Sequence, residues 1–378
     1  MAMENILKIQ ALETFLLRYV LDRPVGGSGV SSVDVLIAQM TIEPAQDSSG
    51  AERAGTVSGL GFSYVLSGSG LPALAAAREM ASSLIGQTLH HPQALWQQLA
   101  AQCNRTRRGP NYIALAALDV AAWDAWSCAL QLPLGVALGG KPRAVAVYGS
   151  GGFNPRQSPT EAAAAASQHV ARRLRAVKPR VGGSASSFDA DAALLRAVRD
   201  VLPAGTSLML DANEKGSASS AHRLCALAGE LGALWVEEPL AADDLAGHAA
   251  LSARWPGLLA GGEHLQGQTE VLPFLQHRAL GIFQPDLAAM GGLSECLRCG
   301  RLAEAFGIEV SPHFLPGLFV HLAAALPGLS WLEEFPLLEP LFEGWPATDG
   351  EGMMRPRDVP GHGLRLPDAV RQRYCIEA

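Results

Sequence analysis

The sequence predicts an α/β fold, a barrel of parallel strands alternating with helices, preceded by a separate α+β unit. Two observations carry that prediction. The first is a rhythm between Ser207 and Glu333, where short apolar segments end repeatedly on an acid or a histidine. Leu208-Met209-Leu210 ends on Asp211, Leu234-Trp235-Val236 on Glu237, and Leu258-Leu259-Ala260 leads through Gly261-Gly262 to Glu263. Ile282-Phe283-Gln284-Pro285 leads to Asp286, the segment Gly307 to Val310 reaches His313, and Ser330-Trp331-Leu332 reaches Glu333. The first four acids are spaced by 26, 26 and 23 residues, and each gap holds one Ala/Leu-rich stretch of helical character. Parallel strands that close into a barrel bring their C-terminal ends to one face, so these residues are predicted to meet in one pocket. The second observation is the different texture of residues 1–140, where strand-like runs and Gly/Ser-rich loops precede one long helix.

Within the first unit, Phe15 to Val20 and Val33 to Met40 suit strands, with a loop at Pro24-Val25-Gly26-Gly27-Ser28-Gly29 between them. A polar insert, Glu43 to Val57, leads to another short strand at Gly61-Phe62-Ser63-Tyr64. Gly68-Ser69-Gly70-Leu71-Pro72-Ala73 imitates a dinucleotide fingerprint, but no acid stands about 20 residues downstream to bind a ribose, so it reads as a turn and helix start. Ala114 to Leu130 is predicted helical, with Leu115, Leu118, Ala122 and Trp126 on one face and Asp119 and Asp124 interrupting it. Arg143 to Tyr148 is the first barrel strand, and Glu161 to Ala166 lies in a helix. The second strand, Leu174 to Lys178, ends in Lys178-Pro179-Arg180, and alternation along an extended chain puts both cations on one side. An insert from Val181 to Ser187 follows, and the C-terminal tail, residues 355–378, is predicted to pack back on the first unit. The domains are thus 1–140 and 141–354 plus that tail.

Composition narrows the function classes. The 378 residues are 48% hydrophobic, enough for a large core. A formal charge of −7 argues against a nucleic-acid surface or an anionic membrane as partner. No apolar run approaches the roughly 18 residues of a membrane span, and the N-terminus lacks a secretory pattern, so a cytoplasmic protein is expected. Six scattered cysteines are too few for a disulfide scaffold, and Cys296-Leu297-Arg298-Cys299 lies in a helical pattern with no second pair to complete a zinc site.

The acids then read as chemistry. Asp211, Glu237 and Glu263 on three consecutive strands form a trio of hard oxygen ligands, which suits Mg²⁺ better than zinc. Asp286 and His313 end adjacent strands, so the carboxylate is placed to orient the imidazole as a general base or acid.

Leu210-Asp211-Ala212-Asn213, Trp235-Val236-Glu237-Glu238-Pro239, Gly262-Glu263-His264, Gln284-Pro285-Asp286 with Gly291-Gly292, and Ser311-Pro312-His313-Phe314 together resemble the enolase superfamily. The paired Asp286 and His313 resemble its mandelate racemase subgroup, and Ala121-Ala122-Trp123-Asp124 and Leu132-Pro133-Leu134 extend the likeness into the first unit. The resemblance implies a capping domain over a modified TIM barrel, (β/α)₇β, and one Mg²⁺ per subunit on Asp211, Glu237 and Glu263. It implies removal of the proton α to a carboxylate from a small-molecule substrate, and a homo-oligomer, dimer to octamer. Glu333 would be kept protonated by burial among other acids and would donate to the substrate carboxylate. Substrate contacts are assigned to Lys178, Asn213, His264 and Glu333, with the loops around Val25 to Val30 and Glu43 to Gly61 setting specificity.

One departure directs the choice of reaction. The subgroup commonly carries Lys-x-Lys on its second strand, and this chain has Lys178-Pro179-Arg180. Arginine is a fixed cation and a poor proton acceptor, so the second base that racemisation needs is weakened. The expected reaction is therefore dehydration of an acid sugar to a 2-keto-3-deoxy acid, with His313 as principal proton carrier. The alternatives are a racemase or epimerase of a 2-hydroxy acid, a version in which Lys178 takes the proton, a cycloisomerase, and a catalytically retired binding protein.

Overall fold

The structure, a computed structural model, describes residues 7–26, 29–44, 55–182 and 187–377. Most of the polar insert between Glu43 and Val57, the tip of the loop after Val25 and most of the insert between Val181 and Ser187 lie outside the described residues.

The first unit is an antiparallel sheet covered by helices. Strands β1 (Leu7–Val25), β2 (Val30–Pro44) and β3 (Val57–Leu66) form a meander, followed by α1 (Leu71–Leu84), α2 (Pro92–Thr106) and α3 (Pro110–Ala129). Strands β1 and β2 are longer than the apolar runs that predicted them, because ladder hydrogen bonds extend the hairpin through polar segments that carry no alternating pattern. Helix α3 differs from its predicted amphipathic form, since residues 114–125 are buried on every side, Asp119 and Asp124 included. It lies directly on β3. A Cβ at Gly61 would stand 2.0 Å from the Ala117 carbonyl, and one at Gly59 2.2 Å from the Ala125 nitrogen, so only glycine lets helix and strand approach this closely.

The barrel follows the short α4 (Leu134–Ala137). Its strands are β4 (Val145–Gly149), β5 (Ala176–Val177), a third strand divided at Met209 into β6 (Ser207–Leu208) and β7 (Leu210–Asp211), β8 (Val236–Glu237), β9 (Leu259–Gly261), β10 (Ile282–Phe283), β11 (Glu309–Val310) and β12 (Trp331–Glu334). From β4 to β11 each strand pairs in parallel with the next, and β12 pairs in parallel with β4. Closure comes at the entry to β12, where Ser330 N–H donates to Val310 O at 2.9 Å. The crossovers carry α5 (Pro159–Ala171), α6 (Phe188–Val201), α7 (Ala218–Glu230), α8 (Leu245–Arg254), α9 (Gln268–Gln276), α10 (Leu287–Met290) with α11 (Leu293–Ala305), and α12 (Pro316–Leu322). After β12 the chain returns antiparallel on β4 as β13 (Met353–Met354) with no α-helix between the two strands, so the barrel is (β/α)₇β. The tail, with α13 (Asp368–Tyr374) and β14 (Cys375–Glu377), adds β14 to the first sheet beside β1.

The barrel interior explains where the site sits. Tyr148, Ala176, Met209, Trp235, Ala260 and Ile282, one from each of six strands, pack as one buried cluster, with Tyr148 and Trp235 edge-on at 5.5 Å. Side chains two positions apart share a face, so the residues two places further along point the same way at the C-terminal mouth: Ser150, Lys178, Asp211, Glu237 and Gln284. On β12 the same step leads from Trp331 to Glu333.

Candidate active site

The residues at the mouth form a connected network. Lys178 is fully buried, and its ammonium lies 2.5 Å from Glu237, 3.1 Å from Glu333 and 3.9 Å from Asp211. Arg180 approaches Asp211 at 3.5 Å and donates to Asn213 Oδ1 at 3.2 Å, its guanidinium lying over the Phe335 ring. His313 Nδ1 meets Asp286 at 3.0 Å and its Nε2 stands 3.7 Å from Glu263. Asn213 gives its backbone N–H and its side-chain amide to Asp211, at 2.9 and 3.2 Å. A cavity of about 310 Å³ opens over this array, lined by Arg180, Asn213, Glu263, His264, His313 and Glu333 and by an apolar wall of Val30, Leu66, Phe314, Phe335 and Leu337.

Residues 161–370 match the family described as enolase C-terminal domain-like, and residues 52–139 match the mandelate racemase / muconate lactonizing enzyme N-terminal domain. L-talarate/galactarate dehydratase of Salmonella typhimurium is 32% identical to this chain, over 83% of this chain and 78% of its own. D-galactarolactone cycloisomerase of Agrobacterium fabrum is 30% identical, over 89% and 87%. L-talarate dehydratase from Polaromonas, solved with Mg and L-glucarate, superposes with a TM-score of 0.89 at 31% identity, covering 98% of each chain. The chain belongs to the enolase superfamily, in its mandelate racemase subgroup.

The electrostatics show which charges are fixed. Burial alone would discharge Lys178, but Glu237 and Glu333 outweigh it and hold the ammonium well above its ordinary range. Arg180 is likewise held charged against its burial, chiefly by Asp211. Burial also works against the charge of His313, yet Glu263 and Asp286 raise it to about 10. Glu333 corrects the sequence-based expectation of a protonated acid. Burial favours that form, but Lys178, His313 and Arg180 overcome it and hold Glu333 as a carboxylate, which accepts the Phe314 N–H at 3.0 Å. His264, which lines the cavity, is raised to about 9 by its hydrogen bond to Glu238, against its burial, with Glu263 and Glu214 adding to the effect.

The acidic trio fits a divalent cation. Despite Lys178, burial pushes Glu237 up to about 7, with Asp211, Glu333 and Glu263 adding to the effect, and burial with Glu263 pushes Glu238 up to about 8. This cluster is short of positive charge, and its donors are carboxylate oxygens, the set that hard cations prefer. Glu237 is oriented for such a role by Gln284 at 2.6 Å and Trp235 at 3.3 Å. Glu214, Glu238 and His264, whose ligand atoms lie within 4.8 Å of one another, form a tighter group, but there the imidazole itself supplies the counter-charge.

The family motifs pointed to Lys178, Arg180, Asp211, Glu237, Glu263, Asp286, His313 and Glu333, and all stand at one barrel mouth. Lys178 lies beneath the cavity, fully buried and held by Glu237 and Glu333, and Asn213 is committed to Asp211 and Arg180. Sequence reasoning missed Gln284, although inward alternation from Ile282 marks it, and Tyr64, whose hydroxyl donates to Asp286. No local pattern announces Tyr64, which is 222 positions from its partner.

Proposed function

We propose that this protein is a Mg²⁺-dependent acid-sugar dehydratase, a carbon–oxygen lyase that removes the α-proton of a carboxylate substrate and eliminates its β-hydroxyl to give a 2-keto-3-deoxy acid. The observation that carries the reading is an asymmetry of proton carriers. His313 lines the cavity with Asp286 behind it, while of the strand-two cations Lys178 is fully buried beneath the cavity and Arg180 carries a guanidinium, a poor proton acceptor. Racemisation needs acid and base groups on opposite faces of one carbon, whereas syn elimination needs one group on one face.

Asp211, Glu237 and Glu263 would hold the Mg²⁺, one per subunit. When bound there, it supplies the positive charge that makes a carboxylate α-proton acidic enough to remove. Glu263 is the first of the acids that hold a proton on His313, so a cation on Glu263 would weaken that hold and favour the neutral imidazole as base. His313 then takes the α-proton at Nε2 while Asp286 holds Nδ1, and returns it to the β-hydroxyl, which departs as water. The resulting enol tautomerises to the keto acid. Arg180 and, from beneath, Lys178 stabilise negative charge, and His264 presents a further cation to the substrate.

Similarity to dehydratases of L-talarate and galactarate supports an aldarate as substrate. The reading extends to a cytoplasmic homo-oligomer of two to eight copies, supported by the family likeness; light scattering tests the assembly. Among the described residues no helix is long and apolar enough to cross a membrane. The deciding experiment incubates the protein with Mg²⁺ and a panel of acid sugars, galactarate included, in D₂O, and follows keto-acid product and α-hydrogen exchange. Interconversion of epimers without keto acid makes it a racemase. In His313→Asn, exchange that persists after elimination stops assigns the base to another residue.

A further inference from the structure

The carboxylate of Asp286 has three donors. Its Oδ1 accepts the Ala289 N–H at 2.9 Å, which makes Asp286 the N-cap of α10. Its Oδ2 accepts His313 Nδ1 at 3.0 Å and, on the same oxygen, the phenol of Tyr64. Tyr64 belongs to β3, a strand of the first unit, whereas Asp286 and His313 follow β10 and β11 of the barrel. The Tyr64 ring is buried and stands edge-on to Phe314, the neighbour of His313, at 5.0 Å. Burial and the adjacent Asp286 push the phenol well above its ordinary range, so it remains a donor across the working pH range.

Two consequences follow from that geometry. A third donor, fixed on a rigid strand, sets the plane of the carboxylate and with it the direction of the imidazole. A phenol sharing Oδ2 also draws charge from that oxygen, which lowers its proton affinity and keeps the shared proton on His313. Burial acts to neutralise Asp286, but the donors from His313 and Tyr64 hold it below the usual carboxylate range.

Resting on the dehydratase reading above, we infer that Tyr64 is a positioning residue supplied by the first unit. Its hydroxyl fixes Asp286, and through Asp286 fixes His313, so that the proton carrier is competent only when cap strand and barrel mouth are docked.

Tyr64→Phe tests this, because it keeps the ring against Phe314 and removes only the hydroxyl; a thermal melt verifies folding. In Mg²⁺-loaded protein labelled with ¹⁵N-histidine, the His313 Nδ1–H resonance is identified by its disappearance in His313→Asn. The resonance is expected to move in Tyr64→Phe, and kcat on galactarate, or on whichever acid sugar the panel identifies, to fall about 10–100-fold with KM within about twofold. Tyr64→Phe added to Asp286→Asn is expected to cost little beyond Asp286→Asn alone, since both act through one carboxylate. An unchanged resonance overturns the inference whatever the rate does, and so does a moved resonance with kcat within about twofold of wild type. If the wild-type protein turns over no acid sugar, the dehydratase reading fails, and a moved resonance still supports the role of Tyr64.

Discussion

Glu237 illustrates how single residues here are set by their neighbours. Lys178, Gln284 and Trp235 all donate to its carboxylate, so its orientation does not depend on a bound cation. Glu237→Gln keeps the side-chain size and removes the charge. The expected outcome is loss of Mg²⁺ binding in a calorimetric titration and of keto-acid formation, with the melting temperature little changed; full activity in excess chelator refutes the metal assignment. Asp286→Asn tests the dyad in a different way. An amide cannot fix the imidazole through its negative charge, so kcat is expected to fall about 100-fold or more while KM changes little. A near-normal rate would mean that His313 works without its carboxylate.

Helix α3 acts as an element that caps another element. Asp119, fully buried on that helix, accepts the hydroxyl of Ser294 at 2.6 Å and its N–H at 2.9 Å, in the first turn of α11, whose own N-cap is a glycine with no side-chain cap. Burial pushes Asp119 up to about 7 despite these donors, with Glu295 adding to the effect and the buried Cys296 close by. A carboxyl whose folded-state pKa is raised binds its proton more tightly when folded. Its contribution to stability is therefore complete below the unfolded value of 3.8 and is lost as pH rises to about 7. Asp119→Asn removes the titration. Denaturant unfolding between pH 5 and pH 7.5 is expected to show a smaller fall in stability for the variant than for the wild-type protein, and equal slopes would refute the assignment.

At the scale of the molecule, one carboxylate ties three segments distant in sequence. Asp124 accepts the Leu60 N–H at 2.9 Å and the His362 N–H at 2.8 Å, and His362 Nε2 meets Leu60 O at 2.7 Å. Strand β3, helix α3 and the C-terminal tail thus share a buried junction, and the same β3 carries Tyr64 to the barrel mouth. Asp124→Ala strands two buried N–H groups and is expected to cost about 2–4 kcal/mol in denaturant unfolding. It should also accelerate limited proteolysis near residue 360. Stability and proteolysis unchanged from wild type would show that the junction is not needed to hold the tail.

The barrel, its closing face and the acids and histidine on that face were legible in the sequence, because the strand period fixes which side chains share a face and strand–helix alternation fixes where the strand ends meet. That Asp286 and His313 meet, and that Asp211, Glu237 and Glu263, the acids proposed to hold Mg²⁺, gather at the same mouth, followed from strand ends spaced by strand–helix units. Charge state was not legible. Whether Glu333 is an acid or a carboxylate depends on Lys178, Arg180 and His313 standing around it in space, and burial alone argued for the wrong form. Asp119 and Asp124 likewise read as polar breaks in a helix, and only packing showed that each is the hydrogen-bond acceptor for another element's backbone. Tyr64 marks the same boundary. A pattern along the chain reports the face a residue occupies, whereas the partner across a domain junction is decided by how two units dock, a long-range arrangement that no local spacing records.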